Sequence, residues 1–229
     1  MASSVKVYSW NWSDLSEEKI ESFQLPESDL KKLQDITSSK RKKEFLTGRY
    51  LIRQAAESSA EILYTEMGKP YFSEGPSFSL SHSNGRSLLV VSTEDVGADI
   101  QLQDAKRSKD EIIKNYALSS EKEVYDSLET DELKNSYFFQ LWGLKEAFCK
   151  ATGTGINEEF RHLQITDYDQ SNEYVLYSFI EDDYQNSVCA KTTAEKPEFY
   201  KTLLENNGFL SFHISPPTAE VKALSVLGR

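Results

Sequence analysis

Cysteine is nearly absent: Cys149 and Cys189 are the only two, far apart and in no metal-like spacing, which argues against a disulfide framework or a zinc site. Basic charge is also short, with 26 Lys and Arg against 37 Asp and Glu and a net charge of −11. A general nucleic-acid binder needs a basic footprint, so that class drops out. A phosphate ligand does not, because a few local cations and backbone N–H groups suffice for one. No apolar run reaches the roughly 20 residues of a membrane span, and the opening MASSVKVYSW has no basic region followed by an apolar core. A cytoplasmic chain with no membrane and no nucleic-acid partner is the expectation. Glycine (10) and proline (6) are scarce. There is no G-x-S-x-G elbow for a serine nucleophile, and Gly68-Lys69-Pro70 lacks the frame of a Walker phosphate loop.

What is present is a folding composition, 38% hydrophobic and 12% aromatic over 229 residues, enough for one large domain or two of roughly 100 residues each. VKVYSWNW alternates as a strand does, and LSEEKIESF and LPESDLKKLQ read as capped helical material. Residues 40–57 predict a helix that buries Phe45, Tyr50 or Leu51, and Ala55, with its basic residues elsewhere. MGKPYFSEGPS reads as a turn-rich loop. FSLSHS and RSLLVVS predict strands joined by an Asn84-Gly85 type I′ turn, and VGADIQLQ a further strand with Asp99 and Gln101 on one face. DEIIKNYALSSEKEVYDSL predicts two short helices broken near Leu118–Ser119. LKNSYFFQLWGLKEAFCKAT predicts a long helix with Tyr137, Leu141, Leu144 and Phe148 in one stripe, ended at Gly153-Thr154-Gly155. LQITDY, EYVLYSFI, SVCAKTT and GFLSFHISPP read as mostly antiparallel strands. Helices followed by a small antiparallel sheet, twice over, predict an α+β fold in two halves of similar plan, residues 1–104 and 105–229, without a residue-level repeat.

Asp99, taken alone, reads as a surface carboxylate on a half-exposed strand, although the Val96-Gly97 pair before it would let it reach a cleft. Trp142, Glu146 and Lys150 follow one another at i,i+4 on a stripe away from the core stripe, where Glu146 and Lys150 also fit an ordinary helix salt bridge. Lys145 adds a second cation to that region. Asp99 with Glu146 would suit a hard cation, since magnesium is typically held by one or two carboxylates plus substrate phosphates. In Ser81-His82-Ser83, neighbours on a strand point to opposite faces, so His82 cannot serve either serine as a base. Either His82 or the serines face the cleft. Lys69 is displayed by a stiff loop, and the run Lys40, Arg41, Lys42 and Lys43 reads either as a solvated helix face or as a seat for a terminal phosphate.

In order and spacing, R-x-x-E-F-x-x-G-R (Arg41 to Arg49), GKPYF (68–72), FSLSHS (78–83), VGADIQ (96–101) and W-G-L-K-E-A-F-x-K (142–150) resemble the Sfp-type 4′-phosphopantetheinyl transferases over about residues 40–155. That resemblance implies a pseudo-dimer of two similar α+β halves with the active site, and coenzyme A, in the cleft between them. It implies Asp99 and Glu146 as magnesium ligands, His82 and Lys150 at the coenzyme's pyrophosphate with Ser81 beside them, Lys69 near the adenine end, and Arg41 or a neighbour at the 3′-phosphate. Glu121 resembles a further acidic position near the reacting centre. Many members carry glutamate where Gln101 stands; an amide oxygen can still ligate magnesium or hold one of its waters, but brings no negative charge. Gln101 is therefore expected as an auxiliary ligand, with lower metal affinity or an altered metal preference.

The implied reaction moves the phosphopantetheine arm of coenzyme A onto a serine of an apo acyl or peptidyl carrier protein and releases 3′,5′-ADP. Asp99, Glu146 and Lys150 would be catalytic, Glu146 as the base, in a monomer that builds its own cleft. Two other readings compete: a non-catalytic module that binds coenzyme A or a carrier protein, favoured by Gln101 alone, and a magnesium-dependent phosphohydrolase using the same carboxylates.

Overall fold

The structure, a computed structural model, describes residues 4–104, 109–156, 160, 162–163, 173–191, 197–205 and 208–214. Its elements run β1 (Val5–Asn11), α1 (Glu17–Glu21), α2 (Glu27–Gln34), α3 (Ser39–Ala56), β2 (Ile62–Tyr64), β3 (Pro70–Phe72), β4 (Ser77–Ser83), β5 (Arg86–Ser92) and β6 (Val96–Leu102). They continue α4 (Lys109–Tyr116), α5 (Ser119–Ser127), α6 (Asp131–Thr152), β7 (Tyr174–Glu181), β8 (Tyr184–Lys191), β9 (Glu198–Glu205) and β10 (Gly208–Ile214). This is a mixed α+β fold. Most of the expected LQITDY strand and the end of GFLSFHISPP lie outside the described residues.

The strands form a five-stranded sheet in the order β10-β9-β1-β5-β4, a three-stranded sheet β6-β8-β7 and the short β2-β3 hairpin. Side-chain alternation stacks them into layers. On one face of the larger sheet, Tyr8, Trp10, Leu89 and Val91 pack under the helices with Ile20, Leu51 and Ile52. On the other face, Val5, Val7, Leu88 and Val90 meet Val96, Ala98, Ile100 and Val188 of the smaller sheet. Strand β5 is covered on both faces, and this is why it reads as an unbroken apolar run. The remaining face of the smaller sheet lies against α6, where Ala147 and Ala151 pack on Cys189.

Local signals account for the ends of these elements. Asn84 and Gly85 adopt φ of 43° and 80°, the left-handed pair a type I′ hairpin needs between β4 and β5. Helix α6 starts on Thr130, whose side chain accepts the Leu133 N–H, and stops on Gly153 at φ 75°.

Three features depart from the sequence reading. The loop around Gly68 contains the β2-β3 hairpin, whose three-residue strands are too short to show alternation. Strand β9 (EFYKTLLE) went unread, and it lies parallel to β1, a pairing between chain segments that no local pattern encodes. The α3 arginines are not all solvated: Arg49 and Arg53 are buried against Asp29 of α2, Arg53 at 2.8 Å. Pairing also crosses residue 104 in both directions, since β6 joins β8 and β9 joins β1. Among the described residues, no helix is long and apolar enough to cross a membrane.

Candidate active site

Gly97 sets the depth of the site. A Cβ at this position would stand 1.8 Å from the Ala147 carbonyl oxygen, so only glycine lets β6 touch the α6 backbone. The Val96-Gly97 pair is thus a packing requirement within a regular, buried strand, where the sequence suggested flexibility. Period two then carries Asp99 and Gln101 onto the same α6-facing side.

Strand β4 is joined to β6 through serines on one of its faces. Ser79 Oγ accepts the Ala98 N–H at 3.0 Å and Ser83 Oγ accepts the Leu102 N–H at 3.2 Å. Between them Ser81 Oγ donates to Asp99 Oδ1 at 3.0 Å. The alternating serines of S-F-S-L-S-H-S therefore close a seam between the two sheets, and the middle one belongs to the site.

Asp99 is almost fully buried and fully engaged. Its Oδ1 also accepts from Lys150 Nζ at 2.8 Å, and Lys150 reaches Ser81 Oγ at 3.1 Å. Its Oδ2 accepts from Gln101 Nε2 at 2.7 Å. One turn before Lys150, Glu146 lies 3.7 Å from the same ammonium. Trp142, a further turn back, donates its indole N–H to Glu146, and its ring is fixed by Phe138, Tyr116 and Phe160. Burial, and then the charge of Asp99, push the Glu146 carboxyl up to about 7, with Lys150 pulling the other way.

Beside this cluster opens a cavity of ≈ 320 Å³, walled by the Met67–Pro70 turn, by Ser79 and Leu80 of β4, and by Glu146, Cys149 and Lys150 of α6. That volume is in the range of small-molecule sites. Lys69 also lines it, donating to the Ala151 carbonyl at 2.5 Å and pairing with Asp95 at 3.2 Å.

The structure thus brings Ser81, Asp99, Gln101, Glu146 and Lys150 together and sets Lys69 on the same cavity. It does not bring in His82, which is exposed on the other face of β4 from Ser81, nor Arg41, exposed in the first turn of α3 and outside the cavity lining. Lys145 does not add its charge to the site. It is buried with Glu121, at 2.7 Å, and also donates to the Tyr116 carbonyl. That pair fastens α5 to α6; Glu121 also accepts the Leu118 N–H and, through its own carbonyl, the Tyr137 hydroxyl. One neighbour of Asp99, Ser187, escaped the sequence reading. Ser187 of β8 and Gly143 of the W-G-L-K-E stretch border Asp99, and a bare serine inside a strand carries no motif.

The donor set suits a hard divalent cation. Asp99 and Glu146 offer carboxylate oxygens and Gln101 an amide oxygen, and the upward push on Glu146 comes partly from a like charge that a cation would relieve. Among the described residues, no group of three or more His, Cys, Asp and Glu side chains is placed to hold a metal ion. A cation here would rest on two carboxylates and fill its other positions from amide, phosphate and water oxygens.

Residues 95–206 match the sequence model of the 4′-phosphopantetheinyl transferase superfamily. The chain is 36% identical over 99 residues to the 4′-phosphopantetheinyl transferase HetI of Nostoc sp., covering 41% of each protein. It is 34% identical over 119 residues to the 4′-phosphopantetheinyl transferase AcpT of Salmonella typhi, covering 49% of this chain and 60% of that protein. A 4′-phosphopantetheinyl transferase of Bacillus subtilis is 27% identical over 165 residues, covering 63% of this chain and 72% of that protein. The chain spans about half the length of the first curated relatives it matches. The D-x-Q strand and the W-x-x-K-E helix both lie inside the matched stretch, so it is over residues 95–206 that this chain is similar to the 4′-phosphopantetheinyl transferase superfamily.

Proposed function

We propose that this chain transfers the 4′-phosphopantetheine arm of coenzyme A to a serine of an apo acyl or peptidyl carrier protein and releases 3′,5′-ADP. The observation that carries the reading is the gathering of Ser81, Asp99, Glu146 and Lys150, of which Glu146 and Lys150 line a cavity that Lys69 also lines. Coenzyme A would lie in that cavity, in a cleft between pseudo-dimer halves comprising residues 1–104 and 105–229. Lys69 would face its adenine end. Arg41 and His82, exposed beyond the cavity lining, are kept as outer contacts to the 3′-phosphate and the pyrophosphate.

Transfer of this kind depends mainly on positioning and charge neutralisation. Magnesium held by Asp99 and Glu146, with Gln101 auxiliary, would supply positive charge at the pyrophosphate oxygens. Ser81 fixes the Asp99 carboxylate through Oδ1, and without a cation Gln101 holds Oδ2. Lys150 is positioned to stabilise charge on the departing phosphate. The carrier's serine oxygen bonds to the β-phosphorus as the bridging P–O bond breaks, and that electron pair leaves on 3′,5′-ADP. Glu146 takes the hydroxyl proton.

The same proposal makes the protein a monomer working in the cytoplasm, with no nucleic-acid or membrane partner. Its test is loading of fluorescent coenzyme A onto apo carrier proteins. Asp99→Ala protein should load none, and full activity in that variant would remove the metal-centred reading.

A further inference from the structure

Ser187 lies directly across the β6–β8 ladder from Asp99. It is fully buried, and among the described residues its hydroxyl has no hydrogen-bond partner, whereas buried hydroxyls are normally paired. Gly143 makes room for it. A Cβ on Gly143 would stand 2.6 Å from Ser187 Oγ and 3.5 Å from Asp99 Oδ2, so hydroxyl and carboxylate border the same gap beneath α6. The donor that Oδ2 now uses is Gln101 Nε2, at 2.7 Å.

That donor has a second claim on it. A glutamine side chain donates through nitrogen and ligates through oxygen, and the two uses need opposite orientations of the amide. A glutamate at this position would have no N–H to withdraw. Glutamine does, and turning its oxygen to a cation takes that donor from Asp99 Oδ2, on a side chain that is almost fully buried. We propose that Ser187 is a positioning residue for Asp99, swinging its hydroxyl onto Oδ2 when the Gln101 amide turns toward the cation. The step is one χ1 rotation into the gap left by Gly143. This rests on the magnesium reading above.

The test is titration of Mn²⁺ into protein held in excess over coenzyme A, with free Mn²⁺ read by electron paramagnetic resonance. Ser187→Ala should weaken Mn²⁺ binding about 10-fold, the scale seen when the support of a metal ligand is removed. Its melting temperature in EDTA should hold or rise, because the hydroxyl has no partner to lose. In a Gln101→Glu background, where no amide turns, the same substitution should weaken binding by less than about threefold. Should the alanine variant fail to fold, Ser187→Cys, which keeps the size and donates only weakly, is read in the same way. Binding within about twofold of wild type, or an equal loss in both backgrounds, overturns the role of Ser187. Wild-type protein that binds Mn²⁺ no better than Asp99→Ala protein overturns the magnesium reading as well, so the two failures are told apart.

Discussion

Burial and the neighbouring Asp99 push the Glu146 carboxyl up to about 7 against the pull of Lys150, and this has a consequence for stability. The unfolded chain releases that proton near the ordinary carboxylate value, and the folded chain holds it to about 7. Between those two values the folded state binds more protons, so its stability falls as pH rises and the loss is complete above the higher one. Glu146→Gln removes the loss. In EDTA it should stabilise the protein at pH 8 by on the order of 2 kcal/mol and leave it nearly unchanged at pH 4.5, as read from urea unfolding curves. Equal curves at both pH values would show that Glu146 ionises freely. At this scale the sequence was partly legible. The shared face of Asp99 and Gln101 follows from period two, and the i,i+4 stripe gave Trp142, Glu146 and Lys150. The adjacency of Lys145 to Glu146 misled, because one residue along a helix is a turn of about 100°, enough to carry the ammonium from the site into the core beside Glu121.

The contact between β6 and α6 has no slack. Gly97→Ala should destabilise the protein by more than about 3 kcal/mol, since the new methyl meets the Ala147 carbonyl and neither backbone can yield cheaply. Gly48→Ala is the milder control. Its Cβ would meet only the end of the Leu80 side chain, at 2.7 Å, which can rotate away. Comparing the two by urea denaturation separates a backbone clash from ordinary crowding. The Glu121–Lys145 pair gives a second test between elements, here α5 and α6. Lys145→Met leaves a carboxylate buried without its cation and should cost about 3–5 kcal/mol, while Glu121→Leu combined with Lys145→Met should recover most of that. A double variant as unstable as the single one would mean that the pair contributes more than mutual neutralisation.

Across the whole molecule, the elements from β1 to α6, the short β2-β3 hairpin apart, were legible because each carries its own periodicity, cap or turn. The β4 serines could be seen to alternate, but their role as a seam could not, since it depends on β6 lying beside them. The parallel seat of β9 on β1 was illegible for the same reason: tertiary pairing selects it, and EFYKTLLE alternates too poorly to announce a strand. The two sheets meet back to back over Val7, Val90, Ala98 and Val188, and this stacking brings the serine face of β4 to the carboxylate of β6. Helix α6 then closes over both with Glu146 and Lys150. Function at this scale is the joining of a cavity to that charged cluster, and its measure is transfer itself. Wild-type protein, coenzyme A and magnesium are incubated with a panel of apo carrier proteins, and the carriers are weighed by mass spectrometry while 3′,5′-ADP is followed. At least one carrier should gain the mass of the phosphopantetheine arm with matching release of 3′,5′-ADP, and no gain should occur in EDTA or with Asp99→Ala protein. Coenzyme A bound with no carrier modified across the panel, or phosphate released without any carrier present, would contradict the account.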